Sequence, residues 1–227
     1  MYILVVDDDQ FANTLVQFVL SKEGYEVETT DNPRGALQMI KRREPDLLIV
    51  DVMMPYLDGF EFTAQLREEG YDIPIIFMTA QDALESKLQG FNMGADDYIC
   101  KPFNHQELVA RVQAVIRRVK YNSKNGASSI RNGQYELFPG ELRVVIAGNV
   151  SITLTPTEMQ VLRVLMSSTD LVVERDRLLS EVWNDNENNS NIVDVYIRRL
   201  RLKLEEDAYT PLHIISVRGI GYKFLGK

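Results

Sequence analysis

The chain has one cysteine, Cys100, among 227 residues. It cannot close an internal disulfide, so the covalent framework of small secreted domains is excluded, and a reducing compartment is the expected setting. Two histidines and one cysteine also leave little material for a zinc or iron site. No apolar run approaches the ~18 residues of a membrane-spanning helix. The start, MYILVVDDD, lacks a basic n-region and turns acidic at once, so no secretory leader is expected. These absences together predict a cytoplasmic protein with no membrane partner. Net positive charge is missing as well: the chain carries −8, which taken alone speaks against nucleic acid. That excess is confined to one half. Residues 1–121 hold 20 acidic and 12 basic side chains, whereas 122–227 hold 13 of each. The second half is therefore neutral overall and open to local clustering.

What is present has two rhythms. In the first half, short apolar runs at Ile3–Val6, Glu26–Thr29, Leu47–Val50, Ile75–Met78 and Tyr98–Ile99 alternate with amphipathic stretches near 10–23, 33–43, 57–69, 83–92 and 104–118. Several runs are continuous rather than alternating, as strands buried on both faces must be. Leu108, Val109, Val112, Val115, Ile116 and Val119 recur at helical spacing behind an Asn104/Glu107 capping box. Five βα units in about 120 residues predict a five-stranded doubly wound parallel sheet. Residues 121–129 (YNSKNGASS) are small and polar and read as a linker. The second half starts with short strands near 133–137, 141–146 and 150–154. Helices follow near 155–166, 175–183 and 191–206, then a hairpin at His213–Val217 and Gly221–Leu225. That order predicts an α+β winged helix-turn-helix. The expected organisation is 1–120, a linker at 121–129, and 130–227.

The topology gathers chemistry at one place. Asp7, Asp8 and Asp9 follow the first strand and Asp51 ends the third. Thr79 follows the fourth, and Lys101 the fifth. Ligands of open α/β sheets bind outside the carboxyl ends of the strands. Clustered carboxylates repel unless a cation neutralises them, and hard oxygen donors suit Mg²⁺. A carboxylate serves as nucleophile to form an aspartyl phosphate, with a lysine and a metal stabilising charge on the transferring group. Thr79 offers a hydroxyl donor, while Asp9 reads as a helix cap.

The motifs ILVVDDD, PDLLIVDVMMPYLDGFEF, PIIFMTA and GADDYICKPF, in this order and spacing, resemble the receiver (phosphoacceptor) domains of two-component response regulators across the whole first half. The resemblance implies Asp51 as phosphoacceptor. It implies Asp8 and Asp51 as carboxylate ligands of Mg²⁺, the Met53 backbone carbonyl as a further ligand, and Asp7 acting through a metal-bound water. Thr79 and Lys101 would contact the phosphoryl group, and Tyr98 matches the aromatic switch position. The stretch from Lys87 to Arg118 is similar to the subgroup that dimerises through its fourth helix, fifth strand and fifth helix. By position, Lys87 would pair with Glu107, Asp97 with Arg111 and Asp96 with Arg118 of a second subunit, each pair occurring twice.

In the second half, Arg198, Arg199, Arg201 and Lys203 cluster on the third helix. Val193, Ile197, Leu200 and Leu204 line a buried stripe, with Asn191, Val195 and Arg198 roughly opposite and Arg199 beside them. A basic helix followed by a hairpin bearing Arg218 suits the major groove with a wing on the backbone or minor groove. LTPTEMQVLRVL, LLSEVW, IVDVYIRRLRLKLEED and VRGIGYKF resemble the output domain of OmpR/PhoB-like regulators over residues 130–226. That resemblance implies DNA contacts at Arg198, Arg199, Arg201 and Arg218. Asn191 and Tyr196 occupy contact positions where many members carry Arg and His, so the family's DNA sequence does not carry over. The loop 184–190 corresponds to one that touches RNA polymerase.

The resulting expectation is a transcription regulator, not a turnover enzyme. A sensor histidine kinase phosphorylates Asp51, the receivers form a homodimer, and two winged helices occupy tandem promoter half-sites. Two rivals are a phosphatase-like enzyme using Asp51, for which the sequence offers no cap insertion, and a DNA binder indifferent to phosphorylation.

Overall fold

The structure is a computed structural model describing residues 1–80, 95–124, 129–168, 170–183 and 191–226, with residues 80, 120–124 and 191 described by backbone alone. The chain forms two compact units, Met1–Ile116 and Arg117–Lys227.

In the first unit, β1 (Tyr2–Val6), β2 (Glu26–Thr30), β3 (Leu47–Asp51), β4 (Ile75–Ala80) and β5 (Asp97–Lys101) form one sheet in the order β2-β1-β3-β4-β5. All its pairings are parallel. The continuous apolar runs are explained by cover on both faces. On one face Leu4, Val6, Leu48, Val50, Ile75 and Phe77 pack with Ala36 and Ile40 of α2 (Pro33–Arg42) and Phe62 and Leu66 of α3 (Gly59–Glu68). On the other, Ile3, Val5, Ile49, Ile76, Met78 and Ile99 pack with Val16 and Leu20 of α1 (Gln10–Lys22) and with Leu108, Val112 and Val115 of α4 (His105–Lys124). Short polar side chains start these helices. Asp9 accepts from the Phe11 N–H, as expected of it, and Asn32 from the Gly35 N–H; Asp58 and Glu61 form a capping box. The helix expected at 83–92 lies outside the described residues.

The helix expected to stop near 118 continues to Lys124, so the first four residues of the expected linker are helical. The sequence YNSK contains no glycine or proline to end it; the first breaker is Gly126.

The second unit begins with an antiparallel sheet of β6 (Ile130–Asn132), β7 (Tyr135–Phe138), β8 (Arg143–Ile146) and β9 (Val150–Thr153). Four strands stand where three were expected. Gly133-Gln134, with Gly133 at φ +57°, turns the chain between the paired Asn132 and Tyr135 that end β6 and begin β7. Next comes α5 (Pro156–Ser167), opened by a capping box between Thr155 and Glu158. The two-residue strand β10 (Val173–Glu174), α6 (Arg175–Trp183) and α7 (Asn191–Leu204) follow. Strands β11 (Ile214–Val217) and β12 (Gly221–Phe224) form the terminal hairpin, and β12 also pairs with β10. This is the expected winged helix, with α7 in the place of the recognition helix.

Candidate phosphoacceptor site and nucleic-acid interface

The strand order reverses direction between β1 and β3, the point where an open sheet leaves a crevice. Asp7 and Asp8 leave β1 there, and Asp51 is the last residue of β3. One carboxylate oxygen from each of the three lies within 4.8 Å of the others. Asp7 is fully buried and both its oxygens are committed: Oδ1 accepts from the Asp9 N–H at 2.9 Å and Oδ2 from Lys101 Nζ at 2.7 Å. Lys101 Nζ also stands 3.0 Å from Asp51 Oδ1, so one ammonium bridges two carboxylates from different strands. Asp8 is exposed, and Met53 lies exposed just beyond β3. Thr79 is buried on β4, next to Cys100 of β5 in the strand register.

Electrostatics follow from this packing. Burial pushes the Asp51 carboxyl above its ordinary range; Lys101 opposes that shift, and Asp7 and Asp8 add to it. Burial alone would pull Lys101 down, but Asp7 and Asp51 outweigh it and hold the ammonium firmly protonated. Three carboxylates against one lysine leave an excess of negative charge. The hard oxygen donors of Asp7, Asp8 and Asp51 therefore fit a divalent cation such as Mg²⁺.

Gly59 belongs to this site, although no sequence signal singled it out. It starts α3 against the end of β3, and a Cβ there would lie 2.3 Å from the Asp51 carbonyl oxygen. Gly59→Ala should cost about 1–3 kcal/mol by overpacking and displace Asp51. Denaturant unfolding and the rate of phosphate incorporation would both register it; wild-type values in both would show that the backbone absorbs the methyl.

The residues expected at a dimer surface are distributed differently. Arg111 is paired within its own chain, to Asp97 at 2.8 Å and Glu107 at 3.0 Å, and lies 5.4 Å from the Tyr98 ring centroid. Tyr98 is half-buried. Asp96 is fully buried and accepts from the Ile75 N–H at 3.0 Å. Arg118, in the second unit, is buried: its Nε donates to the Val182 carbonyl at 3.0 Å, and its guanidinium lies 5.7 Å from the Trp183 ring. Asp96 and Arg118, expected to pair across a two-fold axis, are thus both buried, each with a hydrogen-bond partner inside its own chain. Lys87 lies outside the described residues.

On α7 the basic side chains divide. Arg198 is exposed, as is Arg218 in the hairpin turn. Arg199, expected to face DNA, is buried; its Nη2 stands 2.9 Å from Oε1 of the fully buried Glu158. Lys203 reaches Oε2 of the same carboxylate at 2.9 Å. Arg201, also expected to face DNA, donates to the Ile214 carbonyl from Nε and Nη2 at 2.9 and 2.7 Å and to Ser216 Oγ at 2.9 Å. Tyr196 is fully buried beside Trp183, with ring centroids 5.3 Å apart, and so is removed from the outer face. Asn191 begins α7, and the loop 184–190 lies outside the described residues. Charge alone did not separate the inward arginines from the outward one. Their partners are Glu158, read only as a cap, and the backbone of β11.

A crevice of paired carboxylates and lysine on a doubly wound sheet, followed by a winged helix, defines a response-regulator architecture. Residues 3–113 match the response regulator receiver domain, and 148–224 match the family described as transcriptional regulatory protein, C terminal. The alkaline phosphatase synthesis transcriptional regulatory protein PhoP of Bacillus subtilis (strain 168) is 39% identical over 97% of this chain and 95% of its own length. Response regulator MprA of Mycobacterium leprae (strain TN) is 41% identical over 98% and 97%. Transcriptional regulatory protein PcoR of Escherichia coli is 38% identical over 97% and 96%. Among solved structures, a RitR mutant superposes with a TM-score of 0.81 at 27% identity, covering 100% of this chain and 99% of the other. The chain belongs to the OmpR/PhoB-type response regulators and is a phosphorylation-dependent transcriptional regulator. Its relatives are transcriptional regulators rather than turnover enzymes. Among the described residues no helix is long and apolar enough to cross a membrane.

Proposed function

We propose that Asp51 accepts a phosphoryl group from a sensor histidine kinase, and that this switches the winged helix onto tandem promoter half-sites. The observation that carries the reading is the single Lys101 ammonium held between Asp7 at 2.7 Å and Asp51 at 3.0 Å, with Asp8 alongside. The Asp51 carboxylate attacks phosphorus, and the bond to the donor breaks as the O–P bond forms. Lys101 turns from Asp51 to a phosphoryl oxygen, and the Thr79 hydroxyl donates to another. Asp7, Asp8, Asp51 and the Met53 carbonyl would hold Mg²⁺, which supplies positive charge opposite the phosphoryl oxygens. Tyr98 follows Thr79 inward and alters the surface where Arg111 bridges Asp97 and Glu107. Those charges, with Lys87, re-pair across a two-fold axis, and the loop 184–190 meets RNA polymerase. Phosphorylation biases an existing equilibrium rather than building a new fold.

Selection of sites from random DNA duplexes, with and without Mg²⁺ and a small phosphodonor, tests the reading. A tandem repeat should be enriched only with the donor; equal enrichment without it would reduce Asp51 to a modulator.

Arg198 and Arg218 are the exposed arginines of α7 and the wing, so they carry the phosphate contacts. Arg198→Ala should weaken binding across sequences and reduce the slope of log K against log salt by about 0.9. Arg199→Ala should leave that slope unchanged. The reverse pattern in salt titrations would put Arg199, not Arg198, on the DNA.

A further inference from the structure

Residues 194 and 201 are seven apart and so fall on one side of α7, about two helical turns from each other. Both reach the wing hairpin, and they reach it at the same level. Tyr222 Oη donates to the Asp194 carboxylate, while Arg201 donates to Ser216 Oγ at 2.9 Å. Ser216 and Tyr222 are direct cross-strand partners in the β11–β12 register. The helix thus grips both strands of the ribbon at one rung, a single rung (Val217 opposite Gly221) before the turn that carries Arg218. Arg175, at the start of α6, completes the grip: its Nη2 lies 2.7 Å from Asp194 Oδ1 and donates to Tyr222 Oη at 2.9 Å. Tyr222 is held firmly as the neutral phenol by burial and by Asp194, its pKa pushed up to about 12.

A two-stranded ribbon is marginal by itself, and among the described residues outside this hairpin only the two residues of β10 pair with it in the sheet. We infer that Asp194 and Arg201 are positioning residues for DNA binding: they fix the wing to the recognition helix so that Arg198 and Arg218 meet one duplex at a set separation. The inference rests on the DNA-binding reading above. It assigns two charged side chains of the recognition helix to holding the reader rather than to reading. Their contribution to affinity is preorganisation, because a wing already in place pays no ordering cost on binding.

A double-mutant cycle tests it, using the full-length protein and the duplex obtained by selection. Asp194→Asn should weaken binding about tenfold, the size of coupling expected between groups joined through one structural element. Tyr222→Phe, which removes only the hydroxyl, should do the same while leaving the protein folded by near-UV circular dichroism. In an Arg218→Ala background both changes should lose most of their effect, because the wing has no contact left to place. Additive losses, or a Tyr222→Phe variant that binds like wild type while Asp194→Asn does not, would mean that Asp194 touches DNA itself and would overturn the assignment. Wild-type binding by Arg218→Ala leaves the wing with nothing to deliver and also sinks it. Failure of the DNA reading looks different: no duplex is enriched, and Arg198→Ala and Arg218→Ala are both without effect.

Discussion

Asp51→Ala should abolish acid-labile phosphate incorporation from both a kinase and a small phosphodonor, and should leave DNA binding unresponsive to either. The three carboxylates of the cluster differ in their availability. Asp7 accepts from the Asp9 N–H and from Lys101, so both its oxygens are already engaged. Asp8 is exposed. Asp51 combines burial with a lysine at 3.0 Å, at the end of a central strand. Removing it leaves the Lys101–Asp7 pair at 2.7 Å in place, so the receiver should stay folded. Acid lability and mass spectrometry of the labelled protein read the result. Full labelling of the variant would move the nucleophile to Asp8.

The second large effect lies in the other unit. Glu158→Gln should cost about 3–5 kcal/mol of winged-helix stability, because it strands the buried Arg199 charge. Burial alone would raise the Glu158 pKa, but Arg199 and Lys203 outweigh it and hold the carboxyl below the usual glutamate range. A folded pKa below the unfolded one contributes stability that is present above the unfolded value and lost as pH falls through the folded one. Acid unfolding of the wild type should therefore steepen below about pH 4.3, the ordinary glutamate value, and Glu158→Gln should lack that component. Glu158→Leu combined with Arg199→Met should recover most of the loss, since apolar pairs of similar volume replace buried ion pairs at little cost. Urea titrations across pH would show it. Equal stability of wild type and Glu158→Gln at neutral pH would mean that the pair contributes nothing.

These two cases mark what the sequence made legible. Strands β1, β3 and β4 were readable because helices cover both faces of the sheet and force continuous apolar runs. The acid site was readable because strand ends in a parallel sheet converge at one edge, so Asp7, Asp51 and Lys101 needed only the topology to meet. The direction of the arginines on α7 was not readable. That helix buries Ile192, Val193, Val195, Tyr196, Ile197, Leu200 and Leu204, far more than the four-residue stripe its period suggested. A helix covered on more than one side turns basic groups inward wherever an acid awaits them, and Glu158 lies on another helix, beyond any local pattern. Intramolecular pairing of Arg111 with Asp97 was hidden for a related reason. Opposite charges on adjoining elements read equally well as contacts within a chain or between chains. The helical residues 121–124 show that small polar composition does not end a helix unless a breaker is present.

Glu158 both starts α5 and neutralises Arg199 and Lys203, so the recognition helix is not an exchangeable cartridge. Retargeting this regulator by grafting in a helix without basic residues at 199 and 203 would leave the buried Glu158 carboxylate without its counter-charges. Of the four basic positions 198, 199, 201 and 203, only 198 is open to redesign without disturbing the interior or the wing. The repertoire of sites reachable by evolution from this sequence is correspondingly narrow on α7, because three of the four basic positions cannot change without a compensating change elsewhere in the domain.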